Sequence, residues 1–319
     1  MTTRRARLLA FAKINLDLRV LYRRPDNFHE LRTIFQTISL ADRIEIAFTP
    51  SRRTAITVTG KVEIPDNLVA RAARLCLDAT CATGEVHFAL EKRIPMGAGL
   101  GGGSSNAAAV LLALPAIAGR ALEMSVLIRL AEELGSDVPY FLLGGTAVGL
   151  GRGTELYPLP DRSAQQGLVV TPGVHVSTAE AYRRLSAELT AESQQNKMVS
   201  FQSLAWRSSL PPAGLADPDT GHNDFESVVF GDHPELAAIK RRLLKLGASP
   251  ALMSGSGSAV FGLFPGREQV RRAIPSFREE QVFPIALVSR ARYRAEWWRR
   301  LAAHTTKEKL WPPRSRYAR

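Results

Sequence analysis

I-P-M-G-A-G-L-G-G-G-S-S-N-A-A-A, from Ile94 to Ala109, is the stretch around which the rest of the chain reads. Between Met96 and Ser104 five of seven residues are glycine: Gly97, Gly99, Gly101, Gly102 and Gly103. Glycine weakens a helix or strand interior through conformational entropy, so this run predicts a loop. Ser104-Ser105-Asn106 follows, all N-cap residue types, and then an apolar run of helix formers from Ala107 to Ala118. The pattern predicts a glycine loop feeding a helix N-terminus. Unpaired N–H groups and the positive end of a helix dipole suit phosphate there, and the missing Cβ atoms let backbone amides approach it. Gly97, Gly99 and Gly102 also match G-x-G-x-x-G. A Rossmann strand would run straight into the first glycine, however, and Glu91-Lys92-Arg93 and Pro95 stand in that place. No lysine follows the glycines, which excludes the G-x-x-x-x-G-K-[ST] loop. The bland alternative is a flexible turn, which rarely uses more than one or two glycines.

A chain of 319 residues predicts two domains. With 45% hydrophobic and 23% charged residues it has the composition of an ordinary globular protein, able to build a core without a disulfide or metal staple. The two cysteines, Cys76 and Cys81, lack C-x-x-C spacing and read as reduced, structural residues of a cytosolic protein. The histidines form no ligand cluster, so no structural metal is expected. No signal peptide is read, because Lys13 and Asn15 interrupt the apolar run after the basic start, and no apolar stretch approaches a membrane span. Residues 291–319 hold nine Lys/Arg against two acidic residues, so most of the +12 net charge is expected to belong to a tail.

Leu8 to Val20 alternates apolar and polar, predicting a strand buried on one side with Lys13 and Asn15 on its other face; a solvated lysine is the ordinary reading there. Arg23 to Asn27 reads as a turn, after which a second strand runs through Ile38, a third covers Ile44 to Phe48 and a fourth Ala55 to Thr59. Asp66 or Asn67 caps a helix from Leu68 to about Ala79, and Val86, Phe88 and Leu90 form the strand entering the glycine loop. Ser125 is expected to cap a helix ending at Gly135. Asp137 then caps the next turn or faces a site, and Gly144 to Val148 is a glycine-softened strand. A domain boundary is placed near Pro160 to Gln166. Beyond it, Leu168 to Val170 reads as a buried strand, and Ser177 opens a helix through a capping box and carries Tyr182. Residues 190–222 read as a loop-rich insertion with a short helix near Phe201 to Trp206. Pro234 to Leu246 and Glu268 to Ile274 read as helices, and Val282 to Val288 as the last strand. Ser254-Gly255-Ser256-Gly257-Ser258 forms a second small-residue loop, either a tight turn or backbone near a ligand.

An anion cradle without its own lysine needs positive charge from elsewhere, and Lys13 is the candidate. Phosphoryl transfer asks mainly for positioning and charge stabilisation. Ser104 or Ser105 suits Mg²⁺ or a phosphate oxygen, Asp137 the proton of an attacking hydroxyl, and Lys13 the register of both. His29, just after a turn, reads by itself as a surface histidine.

With these pieces assembled, the chain resembles the GHMP kinases. The matching segments are A-K-I-N at Ala12 to Asn15, F-H-E-L at Phe28 to Leu31, D-N-L-V-x-R-A-A at Asp66 to Ala73, and the glycine loop from Pro95 to Ala107. They continue with G-S-D-V-P at Gly135 to Pro139, P-G-V-x-V-S-T-x-x-A-Y at Pro172 to Tyr182, N-D-F-E at Asn223 to Glu226, and S-G-S-G-S at Ser254 to Ser258. The resemblance implies a two-domain α/β (α+β) fold: an N-terminal ATP-binding domain over 1–160 like the second domain of ribosomal protein S5, a ferredoxin-like C-terminal domain over 161–292, and a basic extension over 293–319. It implies phosphorylation by ATP, with Mg²⁺, of the 2-hydroxyl of a cytidine-diphospho methylerythritol. Lys13 and Asp137 match the catalytic pair. Pro95 to Ser105, with Met96, Ala98 and Leu100 between the glycines, matches the ATP loop. His29 matches the residue that reads the cytosine edge, against the earlier surface reading, with the base between Phe28 and Tyr182; Asn15 and Thr178 join this substrate set. Phe28 stands where the family usually has tyrosine, so stacking survives without a hydroxyl contact. The extension has no counterpart in the family pattern and is expected to be a solvated or partly helical tail.

Two alternatives remain at this level. A GHMP-type kinase of the homoserine or mevalonate class shares the loop but leaves Phe28-His29 with Tyr182 unexplained. An RNA-binding protein would interleave basic and aromatic residues over its folded face, whereas the charge here gathers in the tail. The expected partner is thus a small cytidine diphosphate, with no nucleic acid or membrane, in a cytoplasmic monomer or weak homodimer.

Overall fold

The computed structural model describes residues 2–62, 64–162, 164–187, 189–209 and 221–318, without the side chains at 191, 208 and 209. The first half forms strands β1 (Arg4–Arg23), β2 (His29–Pro50) and β3 (Ala55–Gly60), helix α1 (Leu68–Thr80) and strand β4 (Gly84–Glu91). Helices α2 (Gly102–Ala118), α3 (Met124–Leu134) and α4 (Val138–Leu143) and strands β5 (Thr146–Gly151) and β6 (Glu155–Pro158) follow. The two strands expected between His29 and Phe48 are one, because S-L-A-D-R between Ile38 and Ile44 contains no glycine or proline to break it. β2 organises the sheet: β1 lies antiparallel along it, β4 pairs with its C-terminal half and β5 with its N-terminal half. Register shifts between Phe11 and Lys13 and between Asn15 and Asp17 interrupt the β1–β2 ladder, a device that re-aims side chains. β1 is buried on both faces rather than one, since α2 covers one side and the second half of the chain the other. α2 is buried all round and fills the centre of the first core. Glu123, not Ser125, occupies the N-cap of α3.

The second half contributes β7 (Gln166–Thr171), α5 (Thr178–Ala187), α6 (Ala191–Ser209), α7 (Phe225–Asp232), α8 (Pro234–Lys245), β8 (Ala251–Met253), β9 (Val260–Phe264), α9 (Arg267–Ala273), β10 (Gln281–Ala286) and α10 (Arg290–Leu301). Its four strands lie in the order β10-β7-β9-β8, all antiparallel, the arrangement of a ferredoxin-like βαββαβ unit. The expected loop-rich insertion is largely the long helix α6; residues 210–220 lie outside the described residues. Thr190 and Ser193 cap α6 reciprocally, each hydroxyl accepting from the other's N–H at 3.1 to 3.2 Å, a signal hidden by the helix's weak periodicity. The two sheets meet through a shared apolar layer including Ile14, Ile34, Ile38, Val169, Phe261 and Ile285. The bridges Leu18–Asn223 and Ile38–Leu287 tie them at backbone level.

The C-terminal segment departs most from expectation. It is partly helical, one of the two expected forms, but it is not solvated: α10 lies against the first core, with Tyr293, Trp297 and Leu301 buried in it and Trp311 packed alongside. Its arginines are engaged as well, Arg294 over the Trp311 ring at 5.1 Å and Arg299 and Arg300 on Glu296. Trp297→Ala should cost about 3–5 kcal/mol of folding stability, read from urea unfolding of the full chain; an unchanged midpoint would mean the segment is not part of the core.

Candidate active site

The glycine loop is fixed by three backbone-level contacts from different parts of the chain. Lys13 N donates to Leu100 O at 3.0 Å, Ala259 N to Ala98 O at 3.2 Å, and Ser254 Oγ to Gly99 O at 3.0 Å. The two small-residue loops found in the sequence are therefore packed on each other. A Cβ on Gly99 would overlap the Ser254 carbonyl, and Gly99 has φ +74°, so glycine is required there. The helix starts earlier than the Ser104-Ser105-Asn106 pattern predicts: Gly101, at φ 69°, takes the N-cap position and α2 begins at Gly102. Two consecutive glycines after the αL residue let the first turn form with no side chain to displace. Ser105 N to Gly101 O is the first intrahelical bond, leaving the amides of Gly102, Gly103 and Ser104 without helical partners at the positive end of the helix.

Lys13 and Asp137, far apart in sequence, meet here. Lys13 Nζ lies 3.4 Å from an Asp137 carboxylate oxygen; the lysine side chain is 4% exposed and the aspartate 35%. A buried ammonium needs partners. The second is Asn15 Oδ1 at 2.7 Å, and Asn15 Nδ2 donates to Thr33 Oγ1, which donates to Asp17 O, so the lysine is held by a chain rooted in β1 and β2. Asp137 occupies the N-cap position of α4 but makes no side-chain cap bond, which leaves its carboxylate for Lys13 and the cleft. Phe141, one turn along α4, packs under Gly101: a Cβ there would lie 2.9 Å from its ring and 3.2 Å from Lys13 Cγ.

A cleft of about 950 Å³ opens from this pair, lined among others by Asn15, Phe28, His29, Thr178 and Tyr182. All five expected substrate residues thus face one cavity. The aromatic arrangement differs from the expected slot. The His29 imidazole lies flat on Tyr182, with centroids 4.7 Å apart and planes 19° apart, and the Arg152 guanidinium covers Phe28 at 3.5 Å. The electron-rich face of Phe28 attracts the guanidinium, while the His29–Tyr182 pair gains from ring stacking. His29 Nε2 pairs with Ser186 Oγ at 2.5 Å, and burial with the nearby Arg23 charge holds the imidazole below its ordinary pKa, neutral at pH 7. Thr178 Oγ1 bonds Ser256 Oγ at 2.7 Å, joining α5 to the second small-residue loop. Sequence reading passed over Arg23, Arg152 and Arg183, which line the same cleft; they come from the end of β1, a turn and a helix face, and so share no spacing signal.

A smaller cleft of about 330 Å³ lies on the other side of the loop and is lined by Pro95 to Ser104. Ser105 lines neither cleft; it is buried. Asn67, Lys92 and Asn106 also line the smaller cleft; the sequence reads Asn67 and Asn106 only as cap residues and gives Lys92 no site role. Lys92 sits beside Gly102 and is ion-paired with the buried Asp42, whose other oxygen accepts from the Arg93 and Ile94 amides. A lysine thus stands beside the start of α2, reached from before the glycines rather than after them. Asn106 Oδ1 is buried with no hydrogen-bond partner among the described residues. Gly97 and Gly99 line both clefts, so the loop is the wall between them. Among the described residues no group of three or more His, Cys, Asp or Glu is arranged to hold a metal, and no helix is long and apolar enough to cross a membrane.

An S5-like sheet joined to a ferredoxin-like unit, with a glycine-rich helix start between them, is the architecture of the GHMP kinases. The N terminal domain model of that family matches residues 67–145 and its C terminal model residues 208–281. A 4-diphosphocytidyl-2-C-methyl-D-erythritol kinase of Solibacter usitatus is 61% identical over 99% of each chain. A crystal structure of 4-(cytidine 5'-diphospho)-2C-methyl-D-erythritol kinase, 39% identical, superposes with a TM-score of 0.72 over 88% of this chain and 98% of that one. A homoserine kinase from Cytophaga hutchinsonii, at 16% identity and TM-score 0.66, shares the fold alone. The chain belongs to the GHMP kinase family, in its 4-diphosphocytidyl-2-C-methyl-D-erythritol kinase branch.

The contact of the two small-residue loops gives a direct test. Gly99→Ala should lower stability by about 3 kcal/mol in urea unfolding, because neither backbone can move aside without losing the Lys13–Leu100 and Ala259–Ala98 bonds; a wild-type midpoint would show that the loop is not held by this packing.

Proposed function

We propose that the protein transfers the γ-phosphoryl group of ATP to the 2-hydroxyl of 4-diphosphocytidyl-2-C-methyl-D-erythritol, giving the 2-phosphate and ADP, a step of the non-mevalonate route to isoprenoid precursors. The observation that carries this reading is the meeting of Lys13 and Asp137 on the wall of the larger cleft, which shares Gly97 and Gly99 with the smaller one. The smaller cleft takes ATP. Its phosphates lie on the amides of Gly102, Gly103 and Ser104, with Lys92 adding charge. The larger cleft takes the cytidine substrate. The Phe28 and Tyr182 rings hold the base once the imidazole swings off Tyr182, and neutral His29 pairs with the base edge. Asn15 and Thr178 supply polar contacts, and Arg23, Arg152 and Arg183 face the diphosphate.

In the reaction the Asp137 carboxylate accepts the proton of the 2-hydroxyl as its oxygen attacks the γ-phosphorus, and the bond to the β-phosphate oxygen breaks to leave ADP. Lys13 fixes the carboxylate and balances the charge that builds on the equatorial phosphoryl oxygens. Mg²⁺ fits here as a phosphate-borne ion with few protein ligands; Ser104, half-buried at the first turn, is the hard oxygen donor suited to it, and the ion would neutralise phosphate charge. The units proposed are residues 1–160 and 161–292, with 293–319 serving the first. The enzyme proposed is cytoplasmic, a monomer or weak homodimer, and acts on a small molecule rather than on nucleic acid.

The primary test is ATP consumption with the cytidine substrate, homoserine and mevalonate offered separately; turnover with either of the last two alone would overturn the assignment. Asp137→Asn should lower kcat by about 100-fold or more while ATP still binds; full turnover would remove this residue from the chemistry. His29→Ala should raise KM for the cytidine substrate about tenfold and leave KM for ATP within about twofold; equal effects on both would argue against base recognition.

A further inference from the structure

The catalytic aspartate stands at the start of a six-residue helix, too short to be stable by itself. A helix so short has most of its carbonyls at its C-terminal end, where no intrahelical donor reaches them. Those of α4 are served from the far end of the chain. Tyr293 Oη donates to Phe141 O at 2.5 Å, Trp311 Nε1 to Leu142 O at 3.0 Å, and Arg290 Nε to Gly144 O at 3.2 Å. Burial pushes the Tyr293 phenol well above its ordinary pKa, so it stays a donor.

The approach is close enough to dictate sequence. Gly144 and Gly145 have φ 68° and 75°; a Cβ on the first would overlap the Tyr293 ring, and one on the second would lie 2.7 Å from Arg290 Cβ. The glycine pair is the docking surface for this segment rather than a softened strand. Asp161 in turn accepts from the Arg290 and Ala291 amides, and Ser289 from the Arg292 amide, anchoring the start of α10. Both family-model matches end before this segment, at residue 145 and at residue 281.

We infer that the C-terminal segment 290–311 is a positioning strap for the phosphoryl-transfer site: its donors fix the C-terminal end of α4, and α4 thereby fixes Asp137 against Lys13. The inference rests on the proposed role of Asp137. Tyr293, Trp311 and Arg290 touch no reactant; they act through the helix. A buried Phe141 carbonyl left without its donor drives α4 to shift toward another partner. A displacement of about 1 Å at the reacting groups is enough to slow transfer strongly.

Tyr293→Phe removes one donor and keeps the ring. In the full-length enzyme, assayed well below its melting temperature, it should lower kcat about tenfold with both KM values within about twofold of wild type. Trp311→Phe should do the same through Leu142 O, and supplies the measurement if the first variant folds poorly. Combined with Asp137→Asn, neither change should lower the residual kcat further, because the strap works through that carboxylate. An unaltered kcat in a variant that melts earlier would reduce the strap to a packing element and overturn the inference. Losses that multiply in the double variants would overturn it too, by showing a route around Asp137. Full activity in Asp137→Asn alone would overturn the reading beneath it, and that outcome is recognisable without either strap variant.

Discussion

The site depends on a backbone-to-backbone packing: the glycine loop near residue 100 wedged between the break in β1 and the turn at residues 254–258. The hydrogen bonds that hold this wedge are main-chain to main-chain, apart from the one donated by the Ser254 hydroxyl. The loop amides are therefore aimed by main-chain hydrogen bonds, which are short, directional and independent of rotamer. Gly99 has no room for a Cβ and Gly101 has almost none. Loosening this packing by one methyl group would separate the elements that carry Lys13, the helix start and Thr178. A site that binds by backbone donors has to be rigid at the backbone, and two units of the chain are spent on making it so.

Within that frame the buried Lys13 is the electrostatic pivot. An ammonium taken out of water is tolerated only with partners, and here it has the polar groups of Asn15 and Asp137 and the face of the Phe35 ring at 5.5 Å. Asn15 is locked through Thr33 to the backbone of β1 and cannot turn away. Asp137 is the partner with freedom, being the more exposed and making no cap bond of its own. Its position is thus decided by α4, and α4 is decided by what lies on its two ends.

The glycine loop, most strands of the first sheet and the capped helices α1 and α5 are legible in the sequence because local chemistry fixes them: glycine density, alternation and cap residues; β6 leaves no such mark, and β2 reads as two strands. The convergence of Lys13 with Asp137 is not, since it depends on a register break in β1 and on the seating of a short helix, and neither leaves a local mark. Lys92 escapes because it precedes the glycines, whereas the familiar lysine follows them. Ser105 misleads because its residue type suits a phosphate while the helix start one turn earlier turns it inward. The C-terminal segment hides behind its charge. Tyr293, Trp297 and Leu301 recur every four residues, the mark of one buried helix face, but seven arginines and lysines among residues 292–314 dominate the composition.

The wall shared by the two clefts explains why one loop serves two reactants. Gly97 and Gly99 face both cavities, so the partition there is one backbone thick. On the proposed reading the nucleotide and the acceptor approach it from opposite sides, and they touch only past its edge, where Lys13 and Asp137 stand. Side chains in that wall would widen the separation beyond the reach of a phosphoryl transfer, which needs donor and acceptor oxygens nearly in line. Glycine is then selected twice at one position: for the left-handed conformation that turns the chain, and for the thinness that lets two ligands meet.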